Sequence, residues 1–220
     1  MDNICSFIDY TLLKQEASAR EIKKLCDEAV RYRFKTVFVN QCRAAQACEE
    51  LKNTGIVVGT VVGFPLGASL TKVKCFEAES AINAGAGEID MVINIGAIKD
   101  NNYEYVKNDI HQVVQTISGR AVLKVILETC LLTEEEKIKA CIACKDAGAD
   151  FVKTSTGLSS GGATVEDIIL MRKTVGDQMG VKAAGGIRDY KKAIAMIKAG
   201  ASRIGTSSGV AIAEEALLHG

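Results

Sequence analysis

The chain has 220 residues, with 27 Lys and Arg set against 27 Asp and Glu, for a formal net charge of +0 at pH 7. That balance offers no basic field for nucleic acid and no acidic tail, so a small-molecule partner is expected. No apolar run reaches membrane-spanning length, and Asp2, Asp9, Lys14, Glu16 and Arg20 break up the start of the chain, which argues against a secretory segment and predicts a cytoplasmic protein.

The length suits one large domain over residues 1–220. Strand-like runs recur about every 20 to 35 residues, each followed by an amphipathic segment of helix length, which predicts repeated βα units rather than hairpins. The strands are placed at Ser6–Asp9, Lys35–Asn40, Ile56–Gly63, Glu88–Asn94, Ala121–Glu128, Asp150–Ser155, Val181–Ala184 and Arg203–Thr206. The expected fold class is therefore α/β, a single-domain (β/α)8 TIM barrel. Ser18, Ser69, Thr133 and Thr164 are expected as helix N-caps, and Glu136 completes a capping box with Thr133.

A repeat fixes the strand register. Ala84-Gly85-Ala86 precedes the fourth strand, Ala147-Gly148-Ala149 the sixth and Ala199-Gly200-Ala201 the eighth. Each glycine suits a left-handed helix C-cap. Four residues past the last alanine of each triplet stand Asp90, Lys153 and Gly205, which places Asp90 and Lys153 in the same barrel interior. Tyr32, Arg33 and Phe34 replace the triplet before the second strand, and the matching inward residue there is Phe38.

The side-chain inventory narrows the chemistry. The eight cysteines show no framework spacing; Cys26, Cys42, Cys48, Cys75, Cys141 and Cys144 fall mostly on helix-like segments and read as reduced, half-buried thiols. Cys141 and Cys144 have the Cys-x-x-Cys spacing but no second ligand pair. With only His111 and His219, a His-ligated metal and a Ser-His-Asp triad are both excluded, and no metal or cofactor is expected. Lysine and carboxylate chemistry remains.

Lys153 ends the strand that leads into Thr156, Gly157 and the run Ser159 to Gly162. A strand-end lysine commonly carries its ammonium out into water. Here Asp90, Lys124, Glu128, Lys153 and Lys182 come from adjacent strands about 4.8 Å apart, so their side chains can meet. Burial and the like charge of Lys182 would both lower the Lys153 pKa and free an amine for Schiff-base formation, with Asp90 and Lys182 as acid and base. Lys124 and Glu128 are read as a buried ion pair. Gly185, Gly186, Gly205, Ser207 and Ser208 follow strands seven and eight, where barrels commonly hold phosphate. Ser159 to Gly162 read as a flexible lead into the next helix.

From Ile8-Asp9-Tyr10-Thr11-Leu12 to Ser207-Ser208 the sequence resembles the deoxyribose-phosphate aldolase family. The most specific pieces are Glu88-Ile-Asp-Met-Val, Leu123-Lys-Val-Ile-Leu-Glu-Thr, Phe151-Val-Lys-Thr-Ser-Thr-Gly and Val181-Lys-Ala-Ala-Gly-Gly-Ile-Arg. The resemblance implies a class I lyase that needs no metal and interconverts 2-deoxy-D-ribose 5-phosphate with acetaldehyde and D-glyceraldehyde 3-phosphate, with Lys153 as the covalent lysine. It assigns proton transfer to Asp90 and Lys182, phosphate contacts to Thr156, Gly157, Gly186, Gly205, Ser207 and Ser208, and a place near the substrate to Asp9 and Thr11. Two departures stand out: Val37-Phe38-Val39-Asn40-Gln41 where the family reads Val-Cys-Val-Asn-Pro, and Arg33 where it has glycine. Phe38 is expected to face the pocket and change its volume. Another Schiff-base sugar-phosphate aldolase, a transaldolase, and a silent sugar-phosphate-binding barrel stay open, as does assembly into a homodimer or homotetramer.

Overall fold

The computed structural model describes residues 4–218, and His219 lies outside them. Eight parallel strands pair in chain order and close on themselves. They are β1 (Ile8–Leu12), β2 (Thr36–Val39), β3 (Val57–Val62), β4 (Glu88–Val92), β5 (Val122–Ile126), β6 (Phe151–Lys153), β7 (Gly180–Ala184) and β8 (Arg203–Thr206). The helices are α1 (Ala19–Tyr32), α2 (Ala44–Glu50), α3 (Thr71–Asn83), α4 (Ile95–Lys99), α5 (Tyr103–Ile117), α6 (Glu134–Ala147), α7 (Val165–Val175), α8 (Tyr190–Lys198) and α9 (Gly209–Leu218). This is the (β/α)8 barrel that the repeat predicts. No helix among the described residues is long and apolar enough to cross a membrane.

Both faces of the sheet are covered, which is why β4 is buried at every position. Alternate residues take different surroundings. Ile89, Met91, Leu123, Val125, Val152 and Val181 belong to the apolar core between strands and helices. Their neighbours Glu88, Asp90, Lys124, Lys153 and Lys182 are also buried, but inside the barrel. The fold thus has an apolar outer core and a charged inner one.

The local signals place most boundaries. Ser18, Thr133 and Thr164 cap their helices, and both Ser18 with Glu21 and Thr133 with Glu136 form complete capping boxes. Ser69 does not cap: the N-cap of α3 falls one residue later, on an extended Leu70 whose carbonyl accepts from Val73 and Lys74 N–H at 2.9 and 3.2 Å. The first strand begins at Ile8 rather than Ser6, because Ile4–Phe7 forms a 3₁₀ turn. The sixth ends at Lys153 rather than Ser155, so the chain leaves the sheet directly after the lysine. Gly85, Gly148 and Gly200 all take the left-handed conformation, at φ 97°, 87° and 114°. Arg33 takes the same turn at φ 56° and caps α1, so the arginine keeps the connection despite its side chain.

None of the eight cysteines is in a disulfide; Cys42 and Cys130 are exposed, and Cys42 sits on a 3₁₀ turn rather than a helix. Burial pushes the Cys141 thiol up to about 12, which suits an inert packing role on α6.

Candidate active site

A cavity of about 330 Å³ opens at the carboxyl ends of the strands, with Lys153 in its wall. Four loops build the rest. Thr11 to Lys14 come from the end of β1 and beyond; Thr156 to Leu158 follow β6; Ala184 to Arg188 run on from the last residue of β7; Gly205 to Ser207 close β8. This end of a barrel is where catalytic side chains collect.

Register brings the charges together. Asp90 lies beside Lys124, and Lys153 beside Lys182, across neighbouring strands. Asp90 Oδ2 accepts from Lys153 Nζ at 2.8 Å and from Lys182 Nζ at 2.7 Å. Asp90 Oδ1 faces Lys124 Nζ at 3.3 Å. One carboxylate therefore holds two ammonium groups on one oxygen and a third on the other. Burial alone would raise the Asp90 pKa, but Lys153, Lys182 and Lys124 hold it well below the usual carboxylate range. Burial, opposed by Asp90 and aided by Lys182, pushes Lys153 down to about 8 from the ordinary 10.5. The largest cause is thus desolvation, with the neighbouring lysine a smaller one.

Several expected residues land elsewhere. Lys124 does not pair with Glu128. It hydrogen-bonds Glu88 and faces Asp90 and Asp9, because Lys124 belongs to the inward row of β5, whereas Glu128 lies past the end of that strand. Glu128 sits in a left-handed conformation at φ 55° and accepts from both the backbone N–H and the hydroxyl of Thr156. Thr156 lines the cavity, yet its donors are turned into that carboxylate, and its hydroxyl oxygen accepts from Leu158 N–H at 3.1 Å. Asp9 and Lys124 are fully buried beneath the cavity and do not line it. Ser208 is also absent from the wall, and its N–H donates to Thr206 Oγ1 at 2.9 Å as α9 begins.

Phe38 faces the barrel interior as expected but not the cavity. Its ring lies 3.8 Å from Lys182 Nζ and 4.6 Å from Lys124 Nζ, packed where any side chain on Gly59 would strike it. Its volume is therefore spent beneath the ammonium groups, where its face stabilises them. Thr11, Gly157, Gly185, Gly186, Gly205 and Ser207 do line the cavity. Gly185 and Gly186 turn left-handed at φ 94° and 70°, which leaves their backbone unshielded there. Ser159 and Ser160 are exposed, but Gly161 and Gly162 are packed tightly, with Gly162 against the Gly185 carbonyl, so the segment is braced rather than free.

Two interior charges escaped the sequence reading. Arg203 donates to Asp9 Oδ1 at 2.7 Å and to both oxygens of Glu88 at 2.9 and 2.8 Å. Glu88 stands two residues before Asp90 and Arg203 two before Gly205, so the period of the strand pointed to both. Among the described residues, no three His, Cys, Asp or Glu side chains are grouped to hold a metal ion.

A model of the DeoC/LacD family of aldolases matches residues 5–215. The chain belongs to this aldolase family. A deoxyribose-phosphate aldolase of Thermococcus kodakarensis is 61% identical over 216 residues, covering 97% of this chain and 96% of the relative. One from Geobacillus sp. is 58% identical over 213 residues, covering 97% and 96%. Among solved structures, QR15, described as an aldolase, superposes with a TM-score of 0.95 at 41% identity and covers 100% of this chain and 98% of its own. A deoxyribose phosphate aldolase from Aeropyrum pernix, described as a unique tetramer, gives 0.91 at 33% identity over 97% and 91%. In this aldolase the Asp90, Lys153 and Lys182 cluster therefore sits in a barrel of the family's own shape.

Proposed function

We propose that this aldolase reversibly cleaves 2-deoxy-D-ribose 5-phosphate to acetaldehyde and D-glyceraldehyde 3-phosphate through a Schiff base on Lys153. The observation that carries this reading is the shared Asp90 oxygen between Lys153 and Lys182 at the edge of the cavity. Burial pushes the Lys153 pKa down to about 8, so an appreciable fraction of its amine is neutral and nucleophilic near neutral pH. Its amine attacks the C1 aldehyde of the open-chain sugar, and loss of water leaves a protonated imine. The C3 hydroxyl then gives up its proton, the C2–C3 bond breaks, and its electron pair passes into the imine to form an enamine. Glyceraldehyde 3-phosphate departs. Protonation at C2 and hydrolysis release acetaldehyde and regenerate the amine.

Asp90 and Lys182 move the protons in this scheme: Asp90 Oδ2 accepts from Lys153 Nζ at 2.8 Å, and Lys182 Nζ donates to the same oxygen at 2.7 Å. The exposed backbone of Gly185 and Gly186, with Gly205 and Ser207 opposite, receives the phosphate. Thr11 and Gly157 complete the wall, while Asp9 and Lys124 act from below by fixing Lys182 and Asp90. The chain works in this reading as one domain over residues 1–220, in the cytoplasm, without metal or organic cofactor, and as a homodimer or homotetramer. The tetrameric Aeropyrum pernix relative supports the last point.

Borohydride added with acetaldehyde should fix a covalent adduct on Lys153, located by peptide mapping, and Lys153→Met should abolish it. An adduct on another lysine, or equal cleavage of phosphorylated and unphosphorylated deoxyribose, overturns the assignment.

A further inference from the structure

The barrel interior holds more bases than acids. Asp9, Glu88 and Asp90 face Lys124, Lys153, Lys182 and Arg203, four bases against three acids, and all seven are buried. They come from β1, β4, β5, β6, β7 and β8; β2 and β3 contain no titratable side chain, and Thr36, Phe38, Gly59 and Val61 hold their inward positions. A buried charge without a counter-charge is costly, so the form with one neutral base is the balanced one. Arginine does not give up its proton, and the choice falls on the lysines.

Arg203 decides how the carboxylates are shared. Its guanidinium takes Asp9 Oδ1 at 2.7 Å and both oxygens of Glu88. Lys182 takes the other Asp9 oxygen at 2.6 Å, and Lys124 takes Glu88 as well. Lys153 is left with Asp90 alone, which it shares with Lys182 and Lys124. Neither Arg203 nor Glu88 lines the cavity.

We infer that Arg203 and Glu88 are positioning residues that set the charge balance of the barrel interior and thereby make Lys153 its surplus base, the one that most readily gives up its proton. The inference rests on Lys153 being the Schiff-base lysine. Without Arg203, three carboxylates face three lysines, and Lys153 is held as an ammonium. With Glu88 neutral, two carboxylates face three other cations, and Lys153 loses its proton more easily. The two changes therefore act in opposite directions, which a merely structural pair would not do.

The test is the pH dependence of single-turnover trapping of acetaldehyde by cyanoborohydride. In Glu88→Gln the midpoint of the rise should fall by about one pH unit, and in Arg203→Met it should climb by about as much, as expected for one unit charge in a poorly screened site. The double variant Arg203→Met/Glu88→Gln should return close to the wild-type midpoint. Unmoved midpoints, or shifts in the same direction, overturn the inference. Should Arg203→Met not fold, Glu88→Gln keeps the side-chain shape and decides alone. Failure of wild-type Lys153 to trap acetaldehyde would instead sink the Schiff-base reading itself.

Discussion

Buried charge outside the sheet, between α3 and α5, is built differently from buried charge inside the barrel. Outside, Lys74 on α3 meets Asp109 on α5 at 2.6 Å, and the two are 0% and 1% exposed. Lys74 also donates to the Val92 carbonyl at 3.1 Å, and Thr71 donates to the second Asp109 oxygen at 2.7 Å. That pair is one to one and its polar atoms are occupied. Inside, four bases share three acids, and one of the bases opens onto a cavity. Matched burial holds helices together, whereas mismatched burial beside a cavity leaves a proton free to move.

The sharpest break of this contrast is to remove the surplus base. Lys153→Met should lower kcat for deoxyribose 5-phosphate cleavage by about 10³-fold or more, since Lys14, the other lysine of the cavity wall, is exposed and lies outside the Asp90 cluster. Stability at pH 7 should hold or rise in a denaturant titration, because the remaining three bases and three acids are balanced. A large loss of stability would mean that Lys153 is structural and that the contrast is wrong.

The reciprocal change should do the reverse. Lys74→Met strands the Asp109 carboxylate in an apolar layer and should cost about 3 to 5 kcal/mol of unfolding free energy. The folded fraction should keep its kcat within about twofold, because Lys74 reaches no cavity residue and acts only through packing. Adding Asp109→Leu should recover most of the loss, since an apolar pair of similar volume replaces the ions. Chemical denaturation and initial-rate assays on the same preparations separate the two regions.

The sequence disclosed these regions unequally. Asp90 and Lys153 were legible because a left-handed glycine fixes where each strand starts, and the strand period then dictates the inward face. The same parity covers Glu88 and Arg203, but a charge becomes meaningful only with its cross-strand partners, and shear around a closed barrel is not written in any single strand. Lys74 was hidden for another reason: a helix lysine is by default a solvent group, and burial depends on which helices become neighbours. Glu128 was mispaired because alternation stops where β5 ends, and its left-handed backbone aims the side chain at the β6 loop. The turn of Thr156 toward Glu128 likewise depends on a loop-to-loop contact without a periodic signal.

The smallest effect expected is a pH dependence of stability that the inner group confers. Lys153 has a pKa of about 8 in the folded chain and 10.5 as the ordinary value, so between these limits the unfolded chain binds more protons than the folded one. Stability from this group therefore rises with pH across that window; below about 8 its full penalty is present, and above 10.5 it vanishes. Asp9 acts at the other end, since a carboxyl held at about 2 against an ordinary 3.8 stabilises the fold above 3.8 and loses that contribution as pH falls toward 2. Comparing wild type with Lys153→Met cancels Asp9 and every other shared group. The wild type should gain on the variant by on the order of 1 to 3 kcal/mol between pH 8 and 10.5, and by nothing between pH 6 and 7. A difference that stays flat across the alkaline window would mean that Lys153 keeps its proton in the folded chain, and that the interior tolerates its fourth cation.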